Sequence, residues 1–193
     1  HEATGWSIRT EDLLAELKKD LPFFEQSGGG VTISGGEPLC QPEGLTALLQ
    51  GCATLGIHRA VDTSGYVSTA TLLGIAAHVD LFLYDLKHMN SAKHRQLTGV
   101  ANETILNNLK ALSANDRMIR VRIPLIGGIN DDEKNIRETG IFAAGCKSVE
   151  GIDVLPFHPS ATAKYRKLSI PYQGGNFAAP SAKGIARVAT LLK

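Results

Sequence analysis

Short β-branched, apolar runs alternate with helical segments along the chain, and this alternation restricts the possible fold more than any other feature. A run such as "GVTIS" is typical of a strand, whereas leucines at helical spacing in "TEDLLAELKKDL" are typical of an amphipathic helix. The predicted strands cover residues 30–34, 57–65, 80–87, 118–126 and 151–158, and the predicted helices cover 10–26, 42–56, 69–79, 102–115, 131–145 and 183–193.

Strands joined by helices of this length predict an α/β fold with a parallel sheet and right-handed crossovers. Such strands could form an open doubly wound sheet or part of a barrel. Because the pattern begins on a helix, restoring one strand before it gives a six-stranded partial (β/α) TIM-like barrel, of which about five strands are present. The strands are apolar enough to be covered on both faces.

The composition predicts one globular domain over residues 1–193, because the chain is 43% hydrophobic and 20% charged and has no low-complexity linker. A net charge of +1 with scattered Lys and Arg argues against a nucleic-acid or membrane partner. The longest apolar runs, such as "LFLY", are too short to span a bilayer. Cys40, Cys52 and Cys146 have no C-x-x-C spacing, which favours reduced thiols in a cytoplasmic protein over disulfides or a zinc site.

Polar residues lie at the end of every predicted strand. They are Gly35-Gly36-Glu37-Pro38, Asp62-Thr63-Ser64-Gly65, Asp85 with Lys87, Arg120 with Arg122, and His158. Taken singly, each residue could be a turn former, a helix cap or half of a surface ion pair. Because parallel α/β folds bind ligands where their strands end, the repetition at all five strands predicts a shared site.

The glycine-rich stretch "SGGGVTISGGEPLC" fits neither common phosphate-binding motif. No Lys follows at Walker spacing, and the G-x-G-x-x-G spacing of dinucleotide-binding folds is absent. What remains is a strand that ends in a Gly-Gly turn beside a carboxylate, where the backbone can approach a ligand closely. Carbonyl and carboxylate oxygens are acceptors, so this turn suits an ammonium group better than a phosphate.

In this order, "SGGGVTISGGEPL", "DTSGY", "LYDLKHMN", "H-x3-TGV-x-N-x2-IL-x-NL", "RIPLI" and "LPFH" resemble the radical S-adenosylmethionine family. Specifically, they resemble the activating enzymes of glycyl-radical enzymes, such as the pyruvate formate-lyase activating enzymes, over about residues 10–168. The stretch "KDLPFFEQSGGGVT" is similar to members with a ferredoxin-like cluster insertion upstream.

The resemblance implies a role for each matching residue. Gly35, Gly36, Glu37 and Pro38 would bind the amino group of S-adenosylmethionine through backbone acceptors. Asp62 and Thr63 would hold a monovalent cation beside it. Asp85 and Lys87 would contact the cofactor under the substrate loop as the catalytic pair, His158 would approach the cofactor, and Arg122 would bind a carboxylate.

The reaction implied is a one-electron reductive cleavage of S-adenosylmethionine by a [4Fe-4S] cluster, which gives methionine and a 5'-deoxyadenosyl radical. That radical abstracts hydrogen from a glycine of the partner, pyruvate formate-lyase or a related glycyl-radical enzyme. Flavodoxin or ferredoxin would be the electron donor. The protein would orient the reactants and exclude water.

One departure from the family pattern is large, because the C-x-x-x-C-x-x-C motif that holds the cluster is absent from this chain. Together with the missing first strand, it predicts an N-terminally truncated fragment that is inactive by itself. Two alternatives remain open: a non-catalytic relative that binds a nucleoside or a partner, and an unrelated phosphate-handling barrel enzyme. The uncovered first strand is also expected to favour dimerisation.

Overall fold

The computed structural model describes residues 5–158, 165, 167, 174 and 177–192. The strands are β1 (Gly30–Ile33), β2 (His58–Thr63), β3 (Leu81–Asp85), β4 (Ile119–Leu125) and β5 (Val149–Pro156). The helices are α1 (Thr10–Lys18), α2 (Leu21–Ser27), α3 (Pro42–Thr54), α4 (Thr69–Ala76), α5 (Ser91–Thr98), α6 (Glu103–Ala114), α7 (Glu133–Ala144) and α8 (Ala182–Leu191), with a short 3-10 helix at Pro38–Cys40. Within these described ranges, no helix combines the length and the apolar character needed to cross a membrane.

The five strands form one parallel sheet in the order β1-β2-β3-β4-β5. Each strand pairs with the next one along the chain, so the strand order never reverses as it does in a doubly wound sheet. Sequential parallel strands connected by helices are the arrangement of a (β/α) barrel. The prediction of an α/β partial barrel with about five strands is therefore confirmed.

The two faces of the sheet are covered differently, so the prediction of strands covered on both faces was wrong. Alternate side chains of β3 and β4, such as Phe82, Tyr84 and Val121, are fully buried. The residues between them, such as Asp85 and Arg122, are only half-buried. Because strand side chains alternate in direction, the sheet has one apolar face and one partly open, polar face.

The apolar face packs against the helices and forms the main core. Leu49 of α3, Leu72 of α4 and Leu109 of α6 are completely buried there together with Phe82 and Val121. Each such side chain contributes roughly 1.5–3 kcal/mol by leaving water. The core therefore fixes one side of the sheet and leaves the opposite, polar side available for a site.

Two elements differ from the sequence prediction for identifiable reasons. The predicted helix over residues 10–26 is divided between α1 and α2, because Pro22 lies near the start of α2 and has no N–H for a continuous helix. Helix α5 was not predicted, although Asn90 caps its first turn by accepting from the Lys93 N–H and Gly99 ends it at φ +87°.

Candidate functional site

The carboxyl ends of all five strands lie along one edge of the sheet, because the strands are parallel and each pairs with the next. This edge brings together the polar residues that the sequence places after each strand. Asp85 pairs in register with Arg122, and Arg122 with Asp153 of β5. These three residues share the partly open face, since registered residues of parallel strands point to the same side.

Glu37 joins the turn after β1 to the end of β2. Its carboxylate accepts from the Thr63 hydroxyl at 2.6 Å, from the Ser64 N–H at 2.9 Å and from the Ser64 hydroxyl at 2.7 Å. The Leu39 N–H also donates to it at 3.3 Å. The Glu37 side chain is thus engaged within the protein, so it shapes the turn.

The turn itself presents open backbone. Gly35 has φ +121°, a conformation that side chains rarely adopt, and a methyl group placed on Gly35 or Gly36 would meet no atom within 4 Å. Pro38 follows in the short 3-10 helix. The main chain at Gly35 and Gly36 is therefore accessible to a ligand, while Glu37 holds the turn in place.

A charged cluster occupies the middle of the edge. Arg122 Nη1 lies 3.2 Å from Asp62 Oδ2 and Arg122 Nε lies 3.8 Å from Asp85 Oδ1. Lys87 Nζ donates to Asp85 Oδ2 at 3.1 Å, and the Ser34 hydroxyl donates to Asp62 Oδ2 at 2.8 Å. Side chains from β2, β3 and β4 and from the segments that follow β1 and β3 thus form one connected network. We call it the Asp62–Lys87 cluster (Ser34, Asp62, Arg122, Asp85, Lys87).

The cluster contains two buried polar atoms without a hydrogen-bond partner among the described residues, Asp85 Oδ1 and Arg122 Nε. Burial raises the pKa of Asp85, and the nearby charges of Lys87 and Arg122 offset only part of this effect. One atom is an acceptor and the other a donor. The two atoms face each other at 3.8 Å, which is close enough for an ion pair and too long for a hydrogen bond.

The side chains of Asp62 and Thr63 point to opposite faces of the sheet. Asp62 belongs to the cluster, whereas Thr63 is only 2% exposed and faces Glu37. The Thr63 oxygen also accepts from the Gly65 N–H at 2.9 Å. Adjacent residues of a strand point to opposite faces, which explains the separation. The monovalent-cation site at these two residues stays a prediction.

His158 is not part of the Asp62–Lys87 cluster. It lies two positions beyond the end of β5 and is exposed. Within the described part of the chain, no hydrogen bond or ion pair joins it to Glu37, Asp62, Asp85 or Lys87. The structure thus brings the first four strand ends together, and the role of His158 stays a prediction.

Ser34 and Asp153 lie at this edge and were not predicted, whereas Ser64 and Arg120 were named among the polar residues at strand ends. Ser34 and Ser64 directly follow β1 and β2, so their position after a strand was an available signal. Arg120 forms a two-pronged ion pair with Asp153, with distances of 2.8 and 2.6 Å. Asp153 gave no signal in the sequence, because it lies within a strand and its partner is 33 residues away.

The cysteines do not form a cluster site. Cys52 and Cys146 are buried in the helical layer, and burial raises the pKa of both thiols, whereas Cys40 is exposed. Among the residues that the structure describes, no group of three or more His, Cys, Asp or Glu could hold a metal ion. These residues therefore do not fit the [4Fe-4S] cluster implied by the resemblance.

Known proteins similar to this chain agree on one family. The sequence model of the Radical SAM superfamily matches residues 2–139. The choline trimethylamine-lyase activating enzyme of Oleidesulfovibrio alaskensis is 44% identical over 83% of this chain, which spans 53% of that protein. The pyruvate formate-lyase-activating enzyme of Staphylococcus epidermidis is 35% identical over 96% of this chain and 79% of its own length.

The fold is similar as well. The crystal structure of a domain of pyruvate-formate lyase-activating enzyme from Bacteroides vulgatus matches with a TM-score of 0.71 and 36% identity, covering 85% of this chain and 92% of that domain. The chain spans between about half and two thirds of the first three curated relatives. Its sequence and fold together show that it belongs to the radical SAM superfamily and, within it, to the activating enzymes of glycyl-radical enzymes.

Proposed function

We propose that residues 1–193 form a single domain that binds S-adenosylmethionine at the carboxyl edge of the sheet and serves the activation of a glycyl-radical enzyme. The observation that carries this proposal is the Asp62–Lys87 cluster, which joins four strand ends beside the open Gly35-Gly36 turn. S-adenosylmethionine, when bound, would supply the 5'-deoxyadenosyl group, which is released as a radical when an external donor provides one electron. The residues of this chain bind and orient it.

The chemistry of the edge matches the methionyl end of this cofactor. Its ammonium group needs acceptors, which the main chain of the exposed Gly35 and Gly36 and the carboxylate of Asp85 offer. Its carboxylate needs donors, which the partly exposed guanidinium of Arg122 and ammonium of Lys87 offer. Asp62, Thr63, Pro38 and His158 complete the proposed binding set, with Asp62 and Thr63 as ligands for a monovalent cation.

Asp85 and Lys87 are the proposed catalytic pair. Lys87 Nζ bonds to Asp85 Oδ2, so the pair presents one fixed ammonium and one carboxylate at the edge. Asp85 is mostly buried, and an enclosed charge interacts more strongly with a ligand than one in water. Since the described residues do not fit an iron–sulfur cluster, we assign no step to one.

The partner is, by the same proposal, a glycyl-radical enzyme, because the similar proteins are named as activating enzymes for choline trimethylamine-lyase and for pyruvate formate-lyase. Flavodoxin or ferredoxin is the proposed electron donor. A cytoplasmic location accords with three cysteines that are all free.

Isothermal titration with S-adenosylmethionine tests the binding site. We expect the wild-type chain to bind, and Arg122→Gln to weaken binding about 10- to 100-fold, because a hydrogen bond to a charged group contributes about 1.5–3 kcal/mol. Arg137→Gln is the matched control, since Arg137 pairs with Glu133 on the exposed face of α7. No binding by the wild type at millimolar ligand, or equal affinity of the Arg122→Gln variant, would contradict the proposal.

A further inference from the structure

The loop that follows β3, Lys87–Met89, is held by the side-chain amides of three buried asparagines. Asn130 Nδ2 donates to the first carbonyl of this loop at 3.0 Å. Asn102 Nδ2 donates to the second and third carbonyls at 3.0 and 2.7 Å. Asn135 Oδ1 accepts from the third N–H at 2.8 Å. Side chains from distant parts of the chain thus replace the backbone partners that a strand or helix would give this loop.

The side chain of Asn130 joins three segments through three hydrogen bonds. Its two amide hydrogens go to the carbonyls of Lys87 and Pro124, and its Oδ1 accepts from the Ile126 N–H at 2.8 Å. Two carbonyl partners on one side and an N–H on the other fix the orientation of the amide. Asn130 therefore ties the loop after β3 to the end of β4 and to the loop that follows β4.

The side chain of Asn102 does not cap its own helix. It occupies the N-cap of α6, where an Asn side chain normally accepts from an N–H of the first turn and stabilises the helix. Here it makes no such bond and donates to the β3 loop instead, although it is only 3% exposed. The Asn102 amide thus orders this loop at the expense of its own helix cap.

Lys87 is fixed on both sides by this arrangement. Before it, the Leu86 N–H donates to the Arg122 carbonyl at 2.9 Å and continues the sheet. After it, the Asn130 side chain donates a hydrogen bond to the Lys87 carbonyl. With the main chain set on both sides, the side chain of Lys87 is directed toward Asp85 Oδ2, 3.1 Å away.

We propose that Asn102, Asn130 and Asn135 are positioning residues that hold the Lys87–Met89 loop so that Lys87 meets the bound cofactor without further ordering. This inference rests on the proposed function and deepens it. Ordering a free loop costs conformational entropy for every residue that becomes fixed. When the loop is ordered before binding, the free energy of cofactor binding does not include this cost, so the affinity of the protein for the cofactor is higher.

A double-mutant cycle with S-adenosylmethionine titration tests whether Asn130 acts through Lys87. The variant Asn130→Asp keeps the shape but replaces the Nδ2 group, which donates both hydrogen bonds, by one carboxylate oxygen that faces the two carbonyl groups. We therefore expect about tenfold weaker binding at a temperature where circular dichroism shows the variant folded. Lys87→Ala should also weaken binding about tenfold. In the Lys87→Ala background, Asn130→Asp should add less than about twofold, because coupled residues are not additive.

Asn108→Asp is the matched control. Asn108 is equally buried and donates to the carbonyls of Gly65 and Val67, both at 2.8 Å, so the same change disrupts a loop that does not carry Lys87. We expect the effects of Asn108→Asp and Lys87→Ala to add. A merely structural role of Asn130 would give additive effects in both cycles, and that result would overturn the inference.

A measurement without ligand separates this inference from the proposed function. Carbon-13 relaxation of the Lys87 side chain should show greater mobility in Asn130→Asp than in the wild type or Asn108→Asp. Should the wild type fail to bind S-adenosylmethionine, the proposed function fails and this comparison alone decides the positioning role. If Asn130→Asp does not fold, Asn130→Ser, which keeps one hydrogen-bond donor, is used in its place. Unchanged Lys87 mobility in the folded Asn130 variant would overturn the inference.

Discussion

Asp85 is placed where binding and stability make opposite demands. Its side chain is 19% exposed, one carboxylate oxygen has no partner among the described residues, and burial raises its pKa. A raised pKa means that the folded protein holds the proton more strongly than the unfolded chain. The ionised Asp85 is therefore destabilising at neutral pH, which is typical of a residue kept for a ligand rather than for the fold.

Replacing Asp85 by Asn should raise the melting temperature at pH 7 and weaken S-adenosylmethionine binding. The folded pKa lies above the unfolded value, so the wild type loses stability as pH rises from the unfolded pKa through the folded one. The Asp85→Asn variant lacks this loss, so its melting temperature should exceed that of the wild type by less as the pH approaches 4. Thermal unfolding by calorimetry at several pH values measures this. A lower melting temperature for Asp85→Asn at pH 7 would contradict the argument.

Between β2 and α4, the chain passes so close to β3 that only glycine fits. A methyl group on Gly65 would overlap the hydroxyl and ring of Tyr84, and Gly65 has φ +70°. Tyr84 cannot move aside easily, because it is fully buried and donates to the Ile105 carbonyl at 2.7 Å. This contact fixes the connection that carries Ser64, and through Ser64 the position of Glu37.

Gly65→Ala should destabilise the protein by about 2–4 kcal/mol, from overpacking together with left-handed backbone strain. Gly74→Ala provides the control, because Gly74 lies within α4 and a methyl group there would meet no atom within 4 Å. That change should stabilise the protein by up to about 1 kcal/mol through helix propensity. Urea denaturation followed by circular dichroism distinguishes the two. Equal stability of both variants would show that the close approach to Tyr84 is relieved at little cost.

The described sheet is not closed into a complete barrel, because its two outer strands, β1 and β5, do not pair with each other. β1 and β5 each pair with one neighbour in the strand order, so each leaves one edge of the described sheet unpaired. Unpaired strand edges are templates for association with another chain. The charged cluster lies on the partly open face, between these two edges.

This chain by itself should therefore associate at high concentration, and a charge on the edge of β1 should reduce the association. Thr32 is exposed on β1, so Thr32→Lys is the test, and Thr54→Lys makes the same change at an exposed position of α3. Size-exclusion chromatography with light scattering measures the mass of each. A monomer at high concentration for the wild type, or equal association of the Thr32→Lys variant, would count against pairing through β1.

Much of the site could be predicted because it follows strands that are easily recognised. Asp62, Asp85, Lys87 and Arg122 were predicted from their place at strand ends, and the structure joins them in one cluster. The asparagine network could not be predicted in this way. Asn130 and Lys87 are 43 residues apart, and a local pattern carries no information about which distant carbonyl an amide will meet.

The sequence alone determined the α/β class, the parallel direction of the strands and the edge where polar residues gather, because periodicity and connection length are local properties. Only the tertiary structure decided which buried polar atoms at that edge lack a hydrogen bond, that Thr63 turns away toward Glu37, and that His158 is exposed. These outcomes depend on how separate strands and loops pack together. The packing sets distances between residues that lie tens of positions apart, and no short stretch of sequence contains them.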